Sequence, residues 1–84
     1  MAQTIYVVQT FEMQRARLVP ALREPATTAE SARRRAEREA ERKGGAIAIE
    51  MMIDEDTGAI DSSRVLSSFG KVPDDIEESM WLAL

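Results

Sequence analysis

The chain has 84 residues, 44% of them hydrophobic and 31% charged, with a formal net charge of −4. A chain of that size forms one domain with a thin core, burying about 60–65% of the surface it exposes when unfolded. It contains neither cysteine nor histidine, which excludes disulfides, thiolate and imidazole metal sites, and Ser-His or Cys-His nucleophilic pairs.

Residues 4–12 are rich in β-branched and aromatic side chains and predict a first strand. On a period of two, Ile5, Val7 and Phe11 share one face with Gln9, while Tyr6, Val8 and Thr10 share the other. Both faces are partly apolar, so both are expected to be at least partly covered. A turn near Met13-Gln14-Arg15 leads into a second strand over 16–23, and Pro20 there fits only an edge position. Thr27-Thr28-Ala29-Glu30 matches a capping box between Thr27 and Glu30. Ala29 to Lys43 then reads as a long helix, since it holds no proline, glycine or β-branched residue. Gly44-Gly45 ends it.

Residues 46–53 predict a third strand with Ile47, Ile49, Met51 and Ile53 in one row. The turn Asp54-Glu55-Asp56-Thr57-Gly58 leads to a fourth strand over 59–69. Pro73, followed by Asp74, Asp75, Glu77 and Glu78, has the form of a helix start, and Ile76 and Met80 would share a face of that short helix, with Trp81 and Leu84 nearby. The expected architecture is α+β, ββαββα: one mostly antiparallel sheet, the long helix on one face, and a short C-terminal helix. The alanines at 29, 32, 36 and 40 would let the long helix sit close, with Ile5, Val7, Ile47 and Ile49 filling the space beneath it.

Charge is uneven along the chain. Residues 1–43 hold nine basic and six acidic side chains, and residues 44–84 hold two basic and nine acidic. Arg34, Arg38 and Arg42 fall on one helix ridge, and with Arg15, Arg17 and Arg23 on the first hairpin they could form a basic surface for phosphates. Glu30, Glu37, Glu39 and Glu41 interleave with them, and pairs such as Glu30–Arg34 and Glu39–Lys43 describe a solvated, self-paired face. Nucleic-acid binding is therefore the secondary expectation, and neither an RRM nor a KH signature is present. Lys43-Gly44-Gly45 follows a helix, where the dipole repels phosphate, so it is not a phosphate loop.

Asp54, Glu55, Asp56 and Asp61 gather round one turn. An EF-hand would need glycine where Ala59 stands and glutamate where Val65 stands, so a polar turn explains them better than calcium. No cofactor and no catalytic residue is expected. No apolar run approaches the roughly 20 residues of a membrane span. No basic side chain precedes Ile5, and with cysteine absent the expected compartment is the cytoplasm.

Met80-Trp81-Leu82-Ala83-Leu84 is the most informative segment. Together with Tyr6, Val8 and Met52, read as an outer sheet face, it would make an unusual apolar patch if left in water. Either it folds back over its own sheet, or it meets a second copy or another protein. The expected function is a small non-enzymatic interaction module forming a homodimer, with Tyr6, Val8, Met52, Met80, Trp81 and Leu84 at the interface.

The succession of an arginine-bearing hairpin, the helix TTAESARRRAE, the hairpin GAIAIEMMIDEDTGAI and the run SSFGKVPDD resembles a group of short uncharacterised bacterial proteins of alphaproteobacterial type. The resemblance covers residues 4–75. Its motifs are patterning and turn motifs, and it implies no activity and no site residue.

Overall fold

A computed structural model describes residues 2–73. Its elements are β1 (Ala2–Gln14), β2 (Arg17–Ala26), α1 (Ala29–Lys43), β3 (Gly45–Asp54) and β4 (Ile60–Gly70). The strands form one antiparallel sheet in the order β2-β1-β3-β4, with α1 against one face. The fold is α+β, but the expected ββαββα order is overturned: the described elements run β-β-α-β-β. The residues of the expected C-terminal helix, Ile76, Met80, Trp81 and Leu84, lie outside the described residues.

Both hairpins are present. β1 turns into β2 through Arg15 and Ala16 alone, and both residues have positive φ, 50° and 66°. This is the two-residue turn whose twist matches a hairpin, normally built from Asn and Gly. β2 is an edge strand, as Pro20 requires. Its register slips between Gln9 and Phe11, where one extra β2 residue bulges out. The Thr10 hydroxyl serves the bulge, accepting from the Leu22 amide at 2.8 Å and donating to the Leu22 carbonyl at 3.3 Å.

Because β2 runs on to Ala26, the helix cap falls one residue later than expected. Thr28 is the N-cap. Its hydroxyl accepts from the Ser31 amide at 3.0 Å, and the Ser31 hydroxyl accepts from the Thr28 amide at 3.2 Å. Gly44 closes the helix at φ 113°, its amide donating to the Ala40 carbonyl. Gly45 then opens β3 with no room for a side chain, since a Cβ there would lie 1.7 Å from the Lys71 carbonyl oxygen.

The largest departure from expectation concerns which sheet face the helix covers. Ala32 and Ala36 pack on Val8, Ala46 and Ala48, flanked by Tyr6, Ala26, Ala40, Leu66 and Phe69. Ile5, Val7, Ile47 and Ile49 lie on the opposite face, with Phe11, Met51, Leu18, Ile53, Ile60, Val65 and Val72. The reason is steric. Small residues on both sides of the helix–sheet contact let α1 approach closely, and isoleucines in those positions would hold it away. Alternation along β1 could not reveal this choice, because both of its faces are apolar.

Candidate functional site

β1 and β3 are paired without interruption from Ala2↔Asp54 to Phe11↔Gly45, so their side chains alternate strictly between the two faces. This regularity gathers Ile5, Val7, Gln9 and Phe11 from β1 beside Ile47, Ile49, Met51 and Ile53 from β3 on the face away from α1. Ile47 and Ile49 are 0% exposed, Phe11 1% and Met51 2%. A sheet face in a two-layer fold is normally wet where no helix covers it. Here it is dry, although α1, the one helix among the described residues, lies on the other side. Val72 packs on this same apolar cluster as the described chain ends.

One charged side chain stands on the face. Arg23 pairs with Gln9 across β1 and β2, and its Nε donates to Gln9 Oε1 at 3.0 Å. Gln9 is itself 3% exposed. Its Nε2 donates to the carbonyls of Thr10 and Leu22 at 3.0 and 3.1 Å. Arg23 Nη2 is buried and has no hydrogen-bond partner. Desolvation lowers the pKa of the guanidinium from its usual value, yet an arginine stays charged at neutral pH. A buried N–H on a cation with no acceptor is costly, and an anion is the group that relieves it. Arg23 also lines two shallow grooves. One, of about 390 Å³, is bounded by Thr4, Ile5, Tyr6, Val7 and Pro25. The other, of about 300 Å³, is bounded by Gln9, Pro20 and Ala21.

The residues named from the sequence are divided by the fold. Tyr6 and Val8, expected on an outer face, belong to the cluster under α1. Met52 shares their side by strand alternation, and its Sδ accepts from the Thr4 hydroxyl at 2.9 Å. These three are therefore not on the face away from the helix, because the small-residue contact with α1 takes that side of the sheet. Met80, Trp81 and Leu84 lie outside the described residues.

The arginines are likewise dispersed. Arg15 sits in the β1–β2 turn and Arg17 at the start of β2. Arg34 pairs with Glu30, and Arg42 pairs with Glu39 at 3.5 Å rather than leaving Glu39 to Lys43. Arg35, absent from the expected set, holds the helix to the sheet. It donates to the Pro25 carbonyl at 2.9 Å and lies 3.6 Å from Glu24. At the β3–β4 turn, Asp54 Oδ1 accepts from the amides of Asp56 and Thr57 at 2.8 and 3.2 Å. That carboxylate braces its own turn. Among the described residues no group of three or more acidic side chains is placed to hold a metal ion, and no helix is long and apolar enough to cross a membrane.

Gln9 is the site residue that sequence reasoning missed, and Arg23 was expected only as one basic side chain among several on the hairpin and helix. The available signal was a glutamine in the middle of an apolar strand row, which demands a polar partner from the neighbouring strand. Comparison with protein-family models gave no match, and comparisons with curated proteins and with solved structures gave no significant match.

Proposed function

We propose that this chain is a small non-enzymatic protein-interaction module that forms a homodimer through the sheet face opposite α1. One observation carries the reading: the half-buried apolar side chains Ile5, Leu18, Ile53, Ile60 and Val65 rim the face that α1 does not cover. The centre of that face is closed off within the single chain, so its half-buried apolar margin is what a second copy would meet. The isolated Arg23, with an unsatisfied N–H, gives that surface a polar point of orientation.

The test is molar mass by light scattering over rising concentration. Val65 is a suitable probe, since it is only half-buried at the margin of the face. The expected result is a monomer–dimer equilibrium that Val65→Lys weakens at least tenfold while circular dichroism stays unchanged. A single-chain mass up to about 1 mM, where a dissociation constant corresponds to about −4 kcal/mol, would refute the homodimer.

A further inference from the structure

We propose that the notch where the β1–β2 hairpin overruns the rest of the sheet binds an apolar monocarboxylate, with Lys43 and Lys71 holding its charge. The site goes beyond the dimer face and stands for a single chain as well as for a pair.

Unequal pairing makes the notch. β1 runs to Gln14, but its pairing with β3 ends at Phe11↔Gly45. Met13 and Gln14 pair with β2 alone, as does Glu12. The hairpin therefore projects past the end of the sheet where β3 begins and β4 stops. The groove left there has a volume of about 460 Å³, within the range of small-ligand sites. Phe11, Met13 and Leu18 line it from the hairpin, while Lys43 and Lys71 line it from the ends of α1 and β4.

The backbone fixes where the two lysines start. The Lys71 amide donates to the Gly44 carbonyl at 2.8 Å, which ties the chain leaving β4 to the chain leaving α1. A Cβ on Gly70 would strike that same Gly44 carbonyl, so this junction has no slack. Arg34, Arg35, Arg42 and Arg64 each lie against a glutamate. Lys43 and Lys71, by contrast, have no ion-pair partner among the described residues. Two unneutralised ammonium groups bordering one groove attract an anion.

The lining also says which anion. Glu12 borders the groove and its Oε1 accepts from Gln14 Nε2 at 3.0 Å. Two cations against one carboxylate leave a single positive charge, which suits a monoanion better than a phosphate or a dicarboxylate. Met13 is 53% exposed, an apolar side chain left in water beside the lysines. A ligand tail that covers it removes apolar surface from water at both partners.

Octanoate is the probe, titrated at low salt into the full chain while amide and methyl spectra are recorded. Shifts are expected at the amides of Gly44, Gly70 and Lys71 and at the Met13 methyl, with half-saturation near about 1 mM for a ligand of this size. Octanol, which has the same tail and no charge, should bind roughly tenfold more weakly. Lys43→Gln and Lys71→Gln should each weaken octanoate about two- to fivefold, as exposed charges do, and Glu12→Gln should strengthen it by a similar factor. Three results would overturn the proposal: no shift at these positions up to about 10 mM octanoate, equal binding of octanol, or affinity unchanged by both lysine substitutions. The molar mass enters none of these readouts, so failure of the homodimer and failure of this site are told apart.

Discussion

Replacing Ile49 with alanine measures how dry the face opposite α1 is. Ile49 is 0% exposed and packs with Val7, Phe11, Ile47 and Met51. The change removes three carbons, worth about 2.4 kcal/mol at roughly 0.8 kcal/mol per buried CH₂. A cavity that closes only partly adds to that, and such truncations cost about 2–5 kcal/mol in all. We expect a loss of about 3 kcal/mol. At about 4–8 °C per kcal/mol for a domain of this size, the melting temperature should fall by roughly 12–24 °C. The assay is urea denaturation followed by far-ultraviolet circular dichroism, with Leu22→Ala as the reference. Leu22 is 47% exposed, and its truncation should cost under about 0.5 kcal/mol. If Ile49→Ala costs no more than Leu22→Ala, the face is open to water and Ile49 is not part of a core.

Three further outcomes test other parts of the fold. Ala16→Gly should stabilise the protein by about 1 kcal/mol, read from the urea midpoint, because Ala16 holds φ 66° in the β1–β2 turn and glycine bears that conformation without the Cβ penalty. Gly45→Ala should cost more than about 2 kcal/mol, well above Gly58→Ala. At Gly58 (φ 75°) only backbone strain opposes a side chain, whereas at Gly45 the new Cβ meets the Lys71 backbone. Thr10→Val should cost about 1–3 kcal/mol in the same assay, since it strands the Leu22 amide in the β2 bulge. A neutral result there would mean that water replaces the hydroxyl.

Much of this architecture is legible in the residues. The helix over Ala29–Lys43 is written by its composition and by Gly44 behind it, and the strand positions follow from β-branched runs between breakers. Pro20 marks β2 as an edge before any pairing is known. The facing of the sheet is not legible, because Val7 and Val8 are equally apolar and the decision rests with Ala46 and Ala48 across the sheet. An expectation that big residues fill the space under a helix points the wrong way when the helix stripe is alanine. The cap was read one residue early because Ala26 still belongs to β2. Arg23 was read only as one more basic residue on a charged hairpin. Its partner Gln9 is fourteen positions away in sequence, and the bulge that sets β2's register has no signature in the sequence beyond Pro20.

The strand order also dictates how the chain can reach this structure in time. Each hairpin joins neighbours in sequence, so β1 with β2 and β3 with β4 can form on the microsecond scale of an isolated hairpin. The central seam is different. It pairs Ala2 with Asp54 and Phe11 with Gly45, so its closure needs a long loop of chain to be drawn in before any of its contacts are made. Such distant pairings slow folding. Until β1 meets β3, each hairpin shows the other an unpaired inner edge, and the same edge is shown to every other copy in solution. The outer edges are interrupted by prolines and bulges. The inner ones, regular and rich in valine and isoleucine, are shielded only by the completion of the fold.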